Sequence, residues 1–270
     1  MSLRDKKKPI KVKSLVSIIT PLYNSEAFIE DTINSVLHQT YTNWELILID
    51  DCSTDNTIAI AEKLVSKYTN IKLLKNQINS GAAVSRNKGI HEANGHFIAF
   101  LDADDVWKPN KLDVQVNFMQ TNNCDVSFSS YEQINEAGQP LNKLVKALPS
   151  LSYNKYLKTN YIGNLTGMYN TSSLGKITSP NLRKRQDWLL WLAAIKTSGK
   201  PALGIQESLA FYRVRANSIS SNKLEMLKYN YLVYKKGLGF STLKSLYRMI
   251  LFIWEQFFVK SKLIVSIDKK

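Results

Sequence analysis

The sequence predicts an α/β fold with a mostly parallel sheet flanked by helices, and three observations carry that expectation. Over the first hundred residues, short aliphatic runs alternate with stretches of helical apolar spacing. Polar groups follow three of those runs, which gathers them at the carboxyl edge of the strands, where open α/β sheets bind ligands. The chain has 270 residues, 44% of them hydrophobic, with only 11 Gly and 7 Pro, enough to bury one sizeable core and unlike a disordered or collagenous chain.

In order, Leu15 to Ile19 is a β-branched run stopped by Thr20-Pro21. Ala27 to Leu37 carries apolar side chains at 29, 33, 36 and 37, with Glu30 and Asp31 near its start, as a helix N-terminus favours. Trp44 to Ile49 is a second strand ending at Asp50-Asp51. Ser53-Thr54-Asp55 offers N-caps for a helix through Ile58, Ala61, Leu64 and Val65. Ile71 to Leu74 is a third strand and Ala82 to Ala93 a helix. Phe97 to Leu101 is a fourth strand, followed by Asp102-Ala103-Asp104-Asp105. Beyond Pro109 the alternation weakens: Lys111 to Gln120 reads as a helix, Asp125 to Ser130 as a strand and Glu136 to Pro140 as a turn. A mixed region reaches about residue 221, and Leu224 to Lys262 reads as an amphipathic helical extension.

Charge divides the chain the same way. The formal net charge is +14, yet residues 1–14 hold six basic groups against one acidic and residues 222–270 hold ten against three. The 207 residues between carry 20 and 18. The near-neutral body excludes a uniformly basic nucleic-acid-binding domain, so no nucleic-acid partner is expected. Four segments follow: a basic tail at 1–14, a ligand-binding half at 15–115, a second half at 116–221 and a basic helical extension at 222–270. Two cysteines, Cys52 and Cys124, are too few for a disulfide scaffold or a four-thiolate zinc site, which suits a reducing compartment. No apolar leader follows the basic N-terminus, so the Asn164-Leu165-Thr166 sequon is expected to carry no glycan. His38, His91 and His96 have no ligand partner at useful spacing, and Cys52 has no His or Lys beside it to make it a nucleophile.

Asp102-Ala103-Asp104 is the most informative short stretch. In an extended segment residues i and i+2 point the same way, so both carboxylates can meet one cation. Hard oxygen ligands suit Mg²⁺ or Mn²⁺ carrying a diphosphate, whose charge the metal neutralises as it leaves. A solvated turn is the alternative reading. The second acidic pair, Asp50-Asp51, at the same sheet edge favours chemistry over turn composition.

Five motifs extend this pattern: Val16-Ser-Ile-Ile-Thr-Pro-Leu-Tyr-Asn24, Ser35-Val-Leu-His-Gln-Thr40, Asp50-Asp-Cys-Ser-Thr-Asp55, Ser85-Arg-Asn-Lys-Gly89 and Phe100-Leu-Asp-Ala-Asp-Asp-Val-Trp107. In this order they resemble the GT-A-fold, family 2 glycosyltransferases over residues 15–115, nearly without gaps. Asn160 to Met168 narrows the resemblance to bacterial enzymes of teichuronic acid, capsule or O-antigen assembly. The resemblance implies a nucleotide-sugar donor, UDP-linked, with Pro21 and Tyr23 lining the base pocket. It implies that Asp51 accepts a hydrogen bond from base or ribose, while Asp50 could instead cap the next helix. Arg86, in the helix starting near Gly81, would pair with Asp51 or a phosphate, or serve as a surface salt bridge. Asp102 would contact ribose or metal, and Asp104 would ligate the metal directly.

Gln186-Asp187-Trp188-Leu-Leu-Trp-Leu192 resembles the family segment that supplies the base of an inverting transfer, with Asp187 at the catalytic position. Gln186 replaces an acidic neighbour there, and a helix N-cap is the other reading of Asp187. Phe211 to Ser220 resembles the family's closing Tyr-Arg segment, where Arg215 stands in place of a common His. Arg cannot ligate a cation, so Arg213 or Arg215 would grip the diphosphate or an anionic acceptor. Ser/Asn-rich Asn217 to Asn222 would close over the donor.

In the extension, Leu243, Leu246, Tyr247, Ile250, Trp254, Phe257 and Phe258 recur at helical spacing among Lys235, Lys236, Lys244, Arg248, Lys260 and Lys262. An interfacial helix is one reading, with the basic ends holding the protein peripherally on the inner face of the cell membrane. Packing on the catalytic domain or a second subunit is the other. Together these features lead to an expected metal-dependent, inverting transfer of one sugar to a lipid-linked or oligosaccharide acceptor. A catalytically silent nucleotide-sugar-binding scaffold subunit is the alternative.

Overall fold

Strand β1 (Val16–Leu22) has no charged side chain and is almost entirely buried, as a strand with neighbours on both sides must be. It pairs in parallel with β2 (Trp44–Asp50) on one side and β4 (Phe97–Phe100) on the other, and β2 pairs in parallel with β3 (Ile71–Lys75). The computed structural model describes residues 14–216 and 223–267. The basic tail through residue 13 and the expected lid at 217–222 lie outside the described residues.

Helices α1 (Ile29–Leu37), α2 (Thr57–Val65) and α3 (Ala82–Glu92) connect these strands. The resulting order, β3-β2-β1-β4, reverses direction at β1. A crevice therefore opens beyond the carboxyl ends of β1 and β4, the position where such sheets take ligands. The first strand was expected to stop at Thr20-Pro21, yet it continues to Leu22. Ile19 accepts a backbone hydrogen bond from Leu101 on the β4 side. Pro21, two residues on, turns its missing N–H the same way, past the end of β4, where no ladder bond is lost.

The second half is mixed. After β5 (Val106–Trp107) and α4 (Lys111–Thr121) come β6 (Val126–Ile134), β7 (Pro140–Val145), β8 (Ser150–Leu151) and the short helix α5 (Tyr153–Tyr156). Then follow β9 (Met168–Asn170), α6 (Thr171–Leu174), α7 (Gln186–Ser198) and β10 (Ala202–Arg213). Strand β9 is antiparallel to both β4 and β6, joining the halves, and β10 runs parallel to β6 with two register shifts.

The extension is not one helix. Helix α8 (Lys223–Leu232) runs into a π turn at Val233–Gly237, and α9 (Thr242–Trp254) runs into a second at Glu255–Val259. A 3₁₀ turn (Lys260–Leu263) leads to β11 (Ile264–Ser266), which pairs antiparallel with β7. The extension thus packs on the preceding α/β domain through one face.

Alternating residues of the central strands feed two cores. Ile18, Leu46 and Leu48 meet Ile29, Ile33, Ala61 and Leu112 on one face. Ile19, Ile47, Ile49 and Phe100 meet Ile90, Trp188 and Trp191 on the other, with Tyr234 and Phe252 of the extension in the same cluster. Trp191 sits edge-on to Phe100, ring centroids 5.7 Å apart. A Cβ on Gly167 would lie 2.1 Å from the Trp191 ring, which is fully buried and has no room to yield. Gly167→Ala is expected to cost about 2–3 kcal/mol, read as a lower urea midpoint at unchanged slope.

Candidate active site

Loops at the carboxyl edge are laced to one another. Asn24, held at φ 46° just past β1, accepts a hydrogen bond from the Thr54 N–H at 2.8 Å and donates its own N–H to Ser53 Oγ at 3.1 Å. Tyr23 beside it is 52% exposed, an available ring at the mouth of the crevice, while Pro21 is half-buried in the strand. Asp50 accepts from the N–H groups of Cys52 and Ser53, so it closes its own turn and does not cap α2. Asp55 binds the Thr57 N–H there.

Asp51 is buried and does not meet Arg86. Its carboxylate accepts from Asn76 Nδ2 at 2.8 Å, the Ser80 N–H at 2.9 Å and the Gly81 N–H at 2.7 Å. A negative charge therefore sits on the N-terminus of α3, where Gly81 takes φ 85°. Those three bonds leave one lone pair for a ligand.

Arg86, on the next turn of α3, donates to Asp102 Oδ1 at 2.5 Å. It is 6% exposed, and its Nε and Nη1 are buried without a partner. Burial works against its charge, but Asp102, then Asp187 and Asp104, hold its pKa above the ordinary guanidinium value. Arg86 is thus ion-paired with Asp102 and within electrostatic reach of Asp104 and Asp187.

The acidic stretch is a turn rather than an extended segment, with the Asp105 N–H bonded to the Asp102 carbonyl at 3.1 Å. Thr32 Oγ1 donates to the Ala103 and Asp105 carbonyls and fixes the turn against α1. The relative placement of Asp102 and Asp104 is set by that turn, not by strand alternation. Burial raises the Asp104 pKa, and the charge of Asp102 adds to it. Asp105 is raised much further by burial and by both neighbours. It accepts from the Arg213 N–H at 2.9 Å and acts on the fold.

Arg213 does not face the crevice as a free cation. Its Nε donates to the Asp104 carbonyl at 2.8 Å, Nη1 to the Glu136 carbonyl at 2.8 Å and Nη2 to Asp31 at 3.1 Å, with the guanidinium over the Phe28 ring. It braces the acidic turn; Arg215, the other arginine expected to grip the diphosphate or an anionic acceptor, donates its Nη1 to Asp104 Oδ2 at 3.0 Å. A cavity of about 470 Å³ is lined by Arg213 together with Trp107, Phe211 and His38. Asp31 is among its lining residues, whereas Asp102, Asp104 and Asp187 are not.

Asp187 is the second residue of α7, and Arg185, at φ 65°, is its N-cap; the capping alternative for Asp187 does not hold. Asp187 Oδ2 accepts from Asn160 Nδ2 at 2.7 Å. Gln186 is buried, and its Oε1 has no partner. Asn164 donates to Asp102 at 3.3 Å and is itself buried, which closes its sequon to a glycan. Sequence reading missed the roles of Asn160 and Asn164; the signal available was two amides four residues apart in an uncharged stretch.

The donor set suits a divalent cation shared with a ligand. Arg215 occupies only Oδ2 of Asp104, and Asn164 approaches Asp102 Oδ2 no closer than 3.5 Å. Among the described residues no group of three or more His, Cys, Asp or Glu could hold a metal by itself. Two carboxylates with ligand phosphates and water completing the shell is how Mg²⁺ is commonly held.

Residues 17–177 match the model of the family described as glycosyl transferase family 2. The chain belongs to that family. It is 45% identical over 224 residues to a protein described as a teichuronic acid biosynthesis glycosyltransferase, TuaG of Bacillus subtilis (strain 168), covering 83% of this chain and 88% of the relative. It is 42% identical over 214 residues to the UDP-Glc:alpha-D-GlcNAc-diphosphoundecaprenol beta-1,3-glucosyltransferase WfgD of Escherichia coli, covering 79% and 83%. The fold matches S. aureus TarS 1–349 in complex with UDP-GlcNAc, with TM-score 0.70 and 23% identity over 90% of this chain and 73% of that one. This family 2 chain therefore has the mixed α/β architecture of TarS, and its acidic edge lies at the switch point of the sheet.

Proposed function

We propose that this glycosyltransferase moves one sugar, a hexose or N-acetylhexosamine, from a UDP-linked donor to a lipid-diphosphate-linked glycan, with inversion. The product would extend a bacterial cell-surface polysaccharide, on the inner, cytoplasmic face of the membrane. The observation that carries this is the Arg86–Asp102 ion pair at the carboxyl edge of the sheet, with Arg215 on Asp104 and Asn160 on Asp187 beside it. Donor, leaving group and base must all meet within one bond's reach, and this edge assembles side chains suited to each task. The printed activity of WfgD, a UDP-sugar and a lipid-diphosphate acceptor, supports the substrate classes by likeness.

In this reading residues 15–115 hold the donor and residues 116–221 the acceptor. The base stacks on Tyr23 beside Pro21, and Asp51 fixes the loop at 76–81 while offering its remaining lone pair to base or ribose. Asp102, steadied by Arg86 and Asn164, reaches ribose or metal. Asp104 and Asp102 would hold Mg²⁺ or Mn²⁺, which would supply charge neutralisation of the departing diphosphate. Arg215 releases Asp104 and turns to the phosphate oxygens, a bidentate match for a guanidinium. Asp187, oriented by Asn160, takes the proton of the acceptor hydroxyl as that oxygen attacks the sugar carbon from the face opposite the leaving group.

The test is UDP release from UDP-glucose and UDP-GlcNAc, with Mn²⁺ or Mg²⁺, as a short-chain lipid-diphosphate GlcNAc is added. Acceptor-dependent release is expected with one donor. Donor binding without acceptor-dependent release would identify the silent scaffold subunit instead.

A further inference from the structure

Helix α9 has two unlike faces. Ser245 and Phe252 are buried, and Phe252 lies 5.9 Å from Trp188, the residue after Asp187. Leu243, Leu246, Tyr247, Ile250, Ile253 and Trp254 point outward, and the face continues through the π turn as Phe257 and Phe258. These eight residues recur every three or four positions over 16 residues, a stripe roughly 24 Å long. Their exposure is large, 82% at Leu243 and 68% at Phe257, where a soluble surface would place polar groups.

Charge identifies what covers this stripe. Within the described part of the extension both carboxylates are already paired, Glu225 with Lys184 and Glu255 with Lys155. Lys228, Lys235, Lys236, Lys244 and Lys262 are exposed. An apolar, aromatic-rich stripe on an extension whose exposed charges, among the described residues, are all cations complements an anionic lipid surface. A second copy of this face would bring like charges together. No helix among the described residues is long and apolar enough to cross a membrane, so the stripe lies in the interface plane.

The same segment is bonded to the acceptor side of the site. Glu255 accepts from Tyr161 at 2.5 Å, Gln256 Oε1 accepts from Thr159 at 3.0 Å, and Lys260 donates to the carbonyl of Asn160, whose amide holds Asp187. Burial, with Arg185 nearby, lowers the Lys260 pKa to about 8. One short run of residues therefore joins the exposed stripe to the carboxylate proposed as base.

We infer that the exposed face of α9 and the turn after it lies in the surface of an anionic bilayer and sets the Asp187 side of the site against that surface. The acceptor half of this statement rests on the proposed transfer to a lipid-linked glycan; the surface itself does not.

Vesicle flotation of the full chain tests it, using phosphatidylcholine with and without phosphatidylglycerol. The wild type should float with the anionic vesicles and much less with the neutral ones. Leu246→Ser with Ile250→Ser and Phe257→Ser should lose binding at least tenfold, and Lys235→Gln with Lys236→Gln and Lys244→Gln severalfold. All six side chains are exposed, so both variants should melt as the wild type does. Transfer to a water-soluble acceptor should be unchanged in both, while transfer to a vesicle-embedded acceptor should fall. Equal flotation of the wild type and the apolar variant would overturn the inference. So would a wild-type dimer that the apolar variant converts to monomer without any vesicle binding. Flotation as expected with no transfer to either acceptor would leave the surface standing and remove the proposed reaction.

Discussion

Asp187→Asn should lower kcat by about 10²–10⁴-fold, the usual contribution of a positioned general base, while the donor dissociation constant stays within about twofold. The substitution keeps an oxygen for the Asn160 amide, so the side chain and the start of α7 should stay in place and the melting temperature should hold. Steady-state kinetics on a soluble acceptor, paired with calorimetric donor titration, separates the two effects. A fall in donor affinity equal to the fall in kcat would place Asp187 in donor binding instead.

The second large effect belongs to Asp104. Asp104→Asn removes the charged ligand proposed for the cation and frees Arg215 from its ion pair. Losing electrostatic stabilisation at a departing charge typically costs about 10²–10³-fold in rate. Donor affinity should weaken in the presence of Mn²⁺ and stay unchanged when EDTA is present, because only the metal-bridged contact is lost. Undiminished turnover would remove the metal assignment. Equal weakening with and without metal would mean that Asp104 acts on the fold, through the turn it shares with Asp105.

The difference between what was legible and what was not has a physical origin. Strands β1, β2 and β4 read clearly because parallel strands covered on both faces are continuous apolar runs, such as Ile18-Ile19 and Leu46 to Ile49. Strands β5, β8 and β9 span two or three residues, too short to show a period, and β11 exists because β7 offers an edge. The Leu224–Lys262 stretch was recognisable as amphipathic, but its breaks were not. Those breaks fall at π turns where packing on Trp188 and Tyr161 decides the path.

At the site, acidic residues announced themselves by pairing in sequence, at 50–51 and 102–105. Their partners did not. Arg215 meets Asp104 across 111 residues, Asn164 meets Asp102 across 62 and Asn160 meets Asp187 across 27. Each of those contacts is made by the tertiary fold, and no local rule of spacing encodes it. Arg213 shows the converse: its place in the closing Tyr-Arg segment suggested a ligand contact, whereas burial and three internal acceptors make it a brace.

The central claim is that this edge performs an inverting sugar transfer, and the configuration of the product tests it most directly. Purified chain, an α-configured UDP-sugar, Mn²⁺ and a short-chain lipid-diphosphate GlcNAc should give a product one sugar heavier, joined by a β linkage visible in its anomeric proton coupling. An α-linked product would contradict attack from the face opposite the leaving group and with it the role given to Asp187. Absence of any heavier product with a donor shown to bind would contradict the transferase reading itself.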